Sequence, residues 1–410
     1  MKNQNIKTQK GITLVALVIT IIVLIILAVV AIGALQNHGI INYAKNARAE
    51  YEAATEKENT ILGNYLAKIE ENVPGNSGEG NEENEGTGNE NEGSDENQGN
   101  GSEGTGGNQG DNSATTSTVL EAQGKVLSTT SNTVVADEYG NTIVVPAGFK
   151  ITTDASKVTE GIVIEDCTEL STAGSQFVWV PVGKIYTNTA KTEYKTINLD
   201  RYTFASDGTP TPQGEAVING CWQELATSTY GNATAKDLQG FINSVNAKGG
   251  YYIGRYEAGN SSNTLVCKAN QVVYVNVTQP EASDLSRSMY TSSNFTSDLI
   301  NSYAWDTAII FIQTFGGCAN YASKNFSTSF VNTGINNDKY CNIYDMSGNA
   351  MEWSTETSSR TSSYADDLPC VYRGGYCGSF ADDYTCTRGY HNTTDDDSSI
   401  SFRPLLYVAL

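Results

Sequence analysis

The sequence predicts an α+β domain at the C-terminal end of a chain that begins with a membrane helix and continues through a disordered acidic linker. Three observations indicate this order. An uncharged apolar stretch covers residues 11–35, a Gly-, Asn- and Glu-rich run covers residues 75–118, and short β-rich runs and two helical patterns follow residue 119. The predicted units are a leader at 1–11, a membrane helix at 12–36, a helical stalk at 37–74, the linker at 75–118 and the folded domain at 119–410.

The apolar stretch is long enough to cross a membrane. At about 1.5 Å of rise per residue, a helix from Ile12 to Leu35 would span roughly 36 Å, against a hydrocarbon core of about 30 Å. Lys2, Lys7 and Lys10 precede it. Positive charges at this position favour a cytoplasmic N-terminus. We therefore expect a protein of the cell surface, anchored in the membrane, with its C-terminal domain outside the cell.

The start of this stretch, Lys10-Gly11-Ile12-Thr13-Leu14-Val15, resembles the leader region of type IV pilins and pseudopilins. That resemblance implies prepilin-type cleavage and methylation, with a prepilin peptidase cutting between Gly11 and Ile12, and pilin-like subunits as partners. Pilins usually carry a glutamate at the fifth mature position, where this chain has Ala16. The difference favours a minor or tip pilin-like protein, or a simple anchor, over a major filament subunit. An ordinary transmembrane helix is the alternative.

The stalk and the linker differ in composition. Residues from Asn42 to Glu71 place apolar side chains at helical spacing and are followed by Pro74, which predicts an amphipathic helix that ends there. Between Asn76 and Asn112 there are ten acidic residues and no basic or aromatic residue. Such a segment cannot bury enough apolar surface to offset its ordering entropy, so we expect a disordered spacer. An acidic segment that binds a partner is the alternative.

Composition also limits the classes of function. The formal net charge of −21 argues against nucleic-acid binding, because phosphate contacts need clustered Lys and Arg. The two histidines are His38 and His391, which excludes a three-histidine metal site in the domain. The eight cysteines, from Cys167 to Cys386, form no CxxC pair. Disulfides and free thiols both stay open, because a domain of this size can fold without disulfides.

Within the domain, period-two and period-3.6 patterns predict short strands and two helices. Strands are predicted at Thr142–Pro146, Gly161–Glu165 and Phe177–Pro181, and helices at Thr234–Ala247 and Ser297–Thr314. The remainder is rich in Tyr, Ser, Asn and Gly. This composition indicates a loop-rich α+β domain.

Six phrases in this region carry a family resemblance. They are FVWVPVG at 177–183, GGYYIGRYE at 249–257, YAWDTA at 303–308, IYDMSGNAMEW at 343–353, YRGG at 372–375 and ISFRP at 400–404. In this order they resemble the formylglycine-generating-enzyme family, also called the sulfatase-modifying-factor family. The resemblance covers most of residues 130–410 and implies that family's variant of the C-type lectin fold.

The phrase from Asp345 to Glu352 is the most specific of the six. The family holds a calcium ion at this phrase, and the resemblance implies four ligands: the side chains of Asp345 and Glu352 and the carbonyls of Gly348 and Ala350. Calcium takes hard oxygen ligands of these kinds. The alternative is a tight turn with solvated carboxylates. Three tryptophans are expected to pack in the core: Trp179, Trp305 and Trp353.

Oxidases of the family use two cysteines after the Arg-Gly-Gly motif to bind copper and to oxidise a cysteine of a client sulfatase. Here Cys377 and Cys386 follow Arg373-Gly374-Gly375, at a spacing that differs from the family pattern. A copper-dependent formylglycine-generating oxidase with Cys377 and Cys386 as its catalytic pair is the alternative function. A disulfide, or two small buried side chains, also explains the pair, so a role without chemistry is favoured.

Residues 376–401 have the composition of a binding surface. Nineteen of these 26 residues are Tyr, Ser, Thr, Asn, Asp or Gly, the mixture that antibody loops use for contact area and adaptable hydrogen bonds. In lectin-type members of the fold, including variable proteins diversified by retroelements, this stretch contacts the ligand. The function expected is that of an adhesin or receptor for an extracellular protein or glycan, and an ordinary polar loop is the alternative. The resemblance implies these contact residues: Tyr376, Ser379, Phe380, Asp382, Asp383, Tyr384, Tyr390, His391 and Asn392.

Overall fold

The structure is a computed structural model that describes residues 117–223, 233–326, 329–359, 368–378 and 383–410. The chain divides into two units, Met1–Gly106 and Gly107–Leu410, and the described residues belong to the second. The predicted leader with its Gly11–Ile12 cleavage point, the membrane helix, the stalk and the linker up to residue 116 lie outside the described residues. Among the residues that are described, no helix is both long and apolar enough to cross a membrane.

A six-stranded antiparallel sheet forms the centre of the domain. Its strands are β3 (Phe149–Ile151), β4 (Val163–Asp166), β5 (Gln176–Pro181), β11 (Gly250–Gly254), β15 (Phe295–Leu299) and β22 (Pro404–Val408). They lie in the order β15-β22-β11-β5-β4-β3. β11 and β22 are buried along their whole length, which fits strands at the middle of a covered sheet.

Helices cover this sheet. The described residues contain the α-helices α1 (Val119–Ala122), α2 (Leu238–Lys248), α3 (Gln279–Ser288) and α4 (Ser302–Phe315). α2 packs on β11 and β22, where the ring of Phe241 lies 5.3 Å from that of Tyr251 and 5.5 Å from that of Tyr407. Single 3₁₀ turns occur at Val158–Glu160 and Tyr321–Ser323.

A second, five-stranded sheet carries the C-terminal motifs. Its strands are β10 (Cys221–Gln223), β18 (Met351–Ser358), β19 (Cys370–Arg373), β20 (Arg388–His391) and β21 (Ile400–Phe402). The order is β10-β18-β19-β20, and β21 pairs with β18 in parallel. Every residue of β18 is buried, whereas β20 is an edge strand. β19 is followed by residues 374–378, and residues 383–387 lead into β20.

Short hairpins complete the domain. They pair β1 (Thr133–Ala136) with β2 (Thr142–Val145), β6 (Gly183–Tyr186) with β7 (Tyr194–Ile197), β8 (Tyr202–Phe204) with β9 (Pro210–Pro212), and β16 (Lys339–Tyr340) with β17 (Ile343–Tyr344). A three-stranded sheet joins β12 (Gly259–Ser261), β13 (Thr264–Val266) and β14 (Val272–Val273). The architecture is α+β with sheets predominating, as the sequence predicts.

The predicted strands and tryptophan positions are confirmed. β2, β4 and β5 occupy the three predicted runs within two residues at either end. Trp179, Trp305 and Trp353 are each 0% exposed.

The two helix predictions need correction at their N-terminal ends. The helix predicted from Thr234 begins at Leu238, because the Asp237 side chain caps it by accepting from the backbone N–H of Gly240 at 2.9 Å. The helix predicted from Ser297 is wrong for its first residues, which form β15 against β22. α4 begins only after Asn301, whose side chain accepts from the N–H of Ala304 at 2.9 Å.

Candidate functional site

The Asp345-to-Glu352 phrase forms a tight turn followed by the start of β18. The φ angle of Asp345 is +62°, a left-handed conformation that Asp tolerates better than most residues. The backbone N–H and the hydroxyl of Ser347 both donate to Oδ2 of Asp338 at 2.8 Å, and the carbonyl of Ser347 accepts from the N–H of Phe326 at 2.8 Å. These contacts fix the turn and bury both aspartates.

Glu352, one of the predicted calcium ligands, is paired with Arg403. Nε of Arg403 donates to one carboxylate oxygen at 2.9 Å, Nη2 donates to the other, and both side chains are 0% exposed. The remaining guanidinium N–H groups donate to the carbonyls of Gly254 and Tyr344 at 2.8 and 2.9 Å. Both oxygens of Glu352 are therefore used by an arginine in this arrangement.

Two neighbouring carboxylates each keep one oxygen without a hydrogen-bond partner. Oδ2 of Asp345 accepts from the N–H of Gly334 at 2.9 Å, and Oε1 of Glu257 accepts from the side-chain amide of Asn349. Oδ1 of Asp345 and Oε2 of Glu257 are buried and accept no hydrogen bond. An unpaired buried carboxylate oxygen is costly, so the pair calls for a proton or a cation.

The pKa shifts of the neighbouring carboxyls are consistent with this need for a proton or a cation. Glu257, Asp338, Asp345 and Glu352, with Arg403, are defined here as the buried carboxylate cluster, and burial is the main cause that raises the pKa of each carboxyl. The pKa of Asp345 rises to about 7, and that of Glu257 rises well above its usual value, with repulsion from Asp345 and Glu352 adding to burial. Four carboxyls face one guanidinium, so the cluster has an excess of negative charge.

A calcium ion at these two oxygens would need further ligands from the backbone. Among the described residues, no three His, Cys, Asp or Glu side chains are arranged to hold a metal ion. The two oxygens that are open to a cation belong to Asp345 and Glu257. Gly348 and Ala350 lie in the same turn, and calcium readily accepts carbonyl ligands. The sequence analysis did not include Glu257 among the calcium ligands. Glu257 lies 92 residues from Asn349, whose side-chain amide donates to it, so no local pattern connects the two.

The edge strand β20 divides the predicted ligand contacts between two faces. Successive side chains of a strand point to opposite sides, so Tyr390 and His391 cannot share one face. The ring of His391 lies 5.5 Å from that of Tyr372 and 5.9 Å from that of Trp353. Tyr390 points the other way, where its hydroxyl donates to the carbonyl of Asn219 at 3.3 Å.

Several predicted contacts gather on the His391 side. Nδ1 of His391 lies 2.6 Å from Oδ2 of Asp395, and the side-chain amide of Asn392 donates to Oδ1 at 2.9 Å. Burial, followed by the charges of Asp383 and Asp397, raises the pKa of Tyr372 to about 12. Burial, together with Cys377 and Asp397, raises the pKa of Tyr376 as well. These interactions define the C-terminal face: Tyr372, Tyr376, Asp383, His391, Asn392 and Asp395.

Tyr384 is not among the interacting residues of this face. Tyr384 is 38% exposed and lies in a turn where its N–H donates to Oγ1 of Thr387 at 2.8 Å. Ser379, Phe380 and Asp382 lie outside the described residues. Tyr372 and Asp395 are contributions that the sequence analysis missed, although Asp395 follows His391 by four residues and could have suggested a pair.

A buried ion network holds β20 and β19 in place. Glu356 accepts from Arg388 at 2.8 Å, from Arg373 at 2.9 Å and from Arg201 at 3.2 Å. Asp306 of α4 accepts from Arg373 and Arg388 at 2.5 and 2.6 Å. Three arginines and two carboxylates therefore fasten the edge strand to β18 and α4.

The two cysteines of the oxidase alternative have different neighbours. The backbone N–H of Cys377 donates to the carbonyl of Asn349 at 3.1 Å, whereas that of Cys386 donates to the carbonyl of Ala322 at 3.0 Å. Burial is the main cause that raises the pKa of both thiols. A raised pKa disfavours the thiolate that copper binding requires. All eight cysteines lie in the described residues, and none of them forms a disulfide there.

Comparison with solved structures gives a weak structural similarity. The chain is similar to the solved structure of Treponema denticola variable protein 1, at 13% sequence identity and a TM-score of 0.25, over 58% of this chain and 97% of that one. No family model matches the chain, and no curated protein matches it. A similarity at this level does not identify a shared fold.

Proposed function

We propose that the chain is a membrane-anchored protein of the cell surface whose C-terminal domain binds an extracellular ligand through the C-terminal face. The observation that carries this proposal is the contrast between the two ends of β20. Arg388 at one end is held by Glu356 and Asp306, whereas His391 at the other end presents a side chain that is 29% exposed. A rigid strand that ends in half-exposed polar and aromatic groups reduces the entropy lost on binding.

The fold proposed for the domain is the formylglycine-generating-enzyme variant of the C-type lectin fold. Support comes from the places that the resembling motifs occupy. Trp179, Trp305 and Trp353 are buried, Arg403 joins the buried carboxylate cluster, and Arg373 leads from β19 into the segment that supplies the C-terminal face. The motifs therefore form the scaffold for the polar, Tyr-rich segment between the Arg373 and Arg403 motifs.

The ligand proposed is an extracellular protein or glycan. The C-terminal face combines aromatic side chains, which supply contact area, with Asn and Asp groups, which supply directional hydrogen bonds. This composition suits polar partners better than lipids. A retroelement-diversified receptor is the specific form that the resemblance favours, with substitutions concentrated in residues 376–401.

The anchor proposed is a pilin-like membrane helix released from its leader between Gly11 and Ile12. The support is the sequence alone: 25 uncharged residues from 11 to 35 behind three lysines. Prepilin peptidase and pilin-like subunits are the partners that this anchor implies. Mass spectrometry of the mature N-terminus, with a methylated Ile12 as the expected result, tests the cleavage directly.

Calcium is the proposed structural cofactor of the domain. It would lie between the open oxygens of Asp345 and Glu257, where its charge would offset the excess of buried carboxylates. Its contribution there is to stiffen the turn before β18, which continues into the sheet that carries β20. No step of ligand binding requires calcium to contact the ligand.

A screen of immobilised glycans and extracellular-matrix proteins tests the proposed function. The full-length protein is applied in calcium and, separately, in a chelator. The expected result is selective retention on one class of immobilised molecule, with weaker retention in the chelator because the scaffold is less rigid. Retention on none of them, or retention only through the isolated N-terminal anchor, would contradict the proposal.

A further inference from the structure

The β6–β7 hairpin forms a basic, aromatic surface on an otherwise acidic chain. Register pairs Lys184 with Thr196 and Tyr186 with Tyr194. Alternation along the strands therefore places Lys184, Tyr186 and Tyr194 on one side of the hairpin, while the paired residues Ile185 and Lys195 belong to the other side. Tyr194 is 51% exposed, so its ring is open to solvent.

The ammonium of Lys184 is held over two aromatic rings. It lies 4.0 Å from the ring centre of Tyr194 and 5.1 Å from that of Tyr186. Cation–π contacts of this kind position a cation without neutralising its charge. The charge of Lys184 therefore stays available to an external anion.

A second ammonium reaches the same place from the hairpin loop. Nζ of Lys191 lies 5.4 Å from the ring centre of Tyr186. It also lies beside Gly140, where an added Cβ would fall 2.4 Å from Nζ, so a larger residue there would displace the lysine side chain. Gly140 has a φ angle of +79°, which adds a second reason for glycine at this position.

Lys184 lines a hollow of about 130 Å³, and Lys191 lies beside Gly140 at the edge of the same hollow. Its lining includes Gly140, Asn141, Lys184 and Tyr186. Asn141 is fixed there, because its side chain accepts from the N–H of Tyr186 at 2.8 Å and donates to Asp137 at 3.0 Å. The hollow therefore has a rigid floor and two cations at its edge.

The carboxylates near the hollow do not neutralise these lysines. Within the part of the chain that the structure describes, neither Lys184 nor Lys191 forms an ion pair. Glu138 pairs with Lys157 at 2.9 Å. Asp137 is buried and accepts from the N–H groups of Tyr139, Asn141 and Val158 as well as from the Asn141 side chain. Glu193, in the hairpin loop, is exposed to solvent.

We propose that this hollow, lined by Lys184 and Tyr186 and flanked by Lys191 and Tyr194, binds the carboxylate or sulfate group of an acidic saccharide. A space of about 130 Å³ suits one anionic substituent and part of a sugar ring. The exposed face of Tyr194 offers the flat, amphipathic surface on which a pyranose ring packs, and the two ammonium groups supply hydrogen-bond donors with positive charge. The site is separate from the C-terminal face and does not depend on the proposed function.

The test measures binding of defined probes to the full-length protein by calorimetry. The probes are a heparin hexasaccharide, a hyaluronan hexasaccharide, a neutral dextran hexasaccharide and a glutamate hexapeptide. The expected result is binding of at least one acidic saccharide, with affinity that falls as salt rises, and no binding of the dextran. The two acidic saccharides distinguish sulfate from carboxylate.

Variants locate the site. Lys184→Gln with Lys191→Gln is expected to lower affinity at least about tenfold, because two charge-assisted contacts are lost. Lys195→Gln, a change of the same kind on the other side of the hairpin, should leave affinity unchanged. Equal melting temperatures confirm that the variants fold. Failure of every acidic saccharide to bind, full affinity in the double variant, or equal affinity for the glutamate peptide would each overturn the proposal.

Discussion

Glu257 and Asp345 are buried neighbours, and each has one carboxylate oxygen that accepts no hydrogen bond. Without a counterion, these two carboxyls destabilise the turn before β18, because burial and mutual repulsion both disfavour their ionised forms. The candidate metal ligand is therefore Glu257, on a distant segment of the chain. Glu352 is less suitable, because both of its carboxylate oxygens accept hydrogen bonds from Arg403.

Asp345→Asn is expected to remove the stabilisation by calcium. At a hundredfold excess over its dissociation constant, a bound ion adds about 2.7 kcal/mol to the free energy of unfolding. Calorimetric melting of the full-length protein in calcium and in chelator measures this difference. The exposed Asp284→Asn is the matched control and should keep it. An equal calcium effect in Asp345→Asn would show that the ion binds elsewhere or that none binds.

Glu352→Gln is expected to destabilise the domain by about 3–5 kcal/mol, with or without calcium, because the buried guanidinium of Arg403 loses the carboxylate that accepts two of its hydrogen bonds. Urea unfolding of the full-length protein measures the loss. Glu215→Gln changes an exposed glutamate and should alter stability by less than about 0.5 kcal/mol. If Glu352→Gln instead lost only its calcium response, Glu352 would be a ligand and the role assigned to Arg403 would be wrong.

Glu356 is expected to set part of the acid sensitivity of the domain. Burial alone would raise its pKa, but Arg388, Arg373 and Arg201 together hold it well below the usual 4.5. For a carboxyl with a lowered folded-state pKa, the stabilisation is complete above about 4.5 and is lost as the pH falls towards the folded-state pKa.

Glu356→Gln should therefore flatten the dependence of unfolding free energy on pH below about 4.5. The free energy of unfolding, measured by urea at a series of pH values, checks this. Glu169→Gln, at an exposed position, should keep the original slope. An unchanged slope in Glu356→Gln would mean that the arginine network does not lower the pKa of this group.

Gly374→Ala tests the turn that leads from β19 to the C-terminal face. Gly374 has a φ angle of +86°, and an added Cβ would lie 2.9 Å from the carbonyl oxygen of Met346. Gly124 has a similar φ of +73° with nothing within 4 Å. Both substitutions share the conformational cost, so the extra loss in Gly374→Ala, about 1–3 kcal/mol, measures the steric clash. Equal losses in urea unfolding would contradict the close approach.

Cys377→Ser with Cys386→Ser separates the binder from the oxidase. We expect ligand retention and melting temperature to change little, since serine is nearly the same size as cysteine and its hydroxyl can keep the hydrogen bond that joins the Cys377 side chain to Tyr376. Copper titration of the purified protein is the second measurement. Tight copper binding that disappears in the double variant would favour the oxidase.

Local patterns predicted the strands and the motif positions, because alternation and apolar runs are properties of neighbouring residues. They failed at Ser297, where apolar residues of β15 continue into the buried helix α4 and periodicity alone cannot separate the two. α3 was missed because it contributes few apolar residues, although Thr278 and Glu281 form a capping box at its start.

The candidate site was harder to predict for a different reason. Glu257 meets Asn349 across 92 residues, and Tyr372 meets His391 across two strands. Such contacts depend on the register of the sheets, which no local pattern specifies. Tyr390 and His391 point to opposite faces for a local reason, the alternation of side chains along β20, which applies only once residues 388–391 are known to form a strand.

The central claim is tested most directly by measuring how tightly variants of the C-terminal face bind the ligand that the screen of immobilised glycans and extracellular-matrix proteins identifies. The account predicts that Tyr376→Ala with His391→Ala weakens binding at least about tenfold, while Leu170→Ala, an exposed apolar residue that is not part of the face, leaves it unchanged. Unchanged affinity in the double variant, with its melting temperature preserved, would contradict the claim that this face binds the ligand.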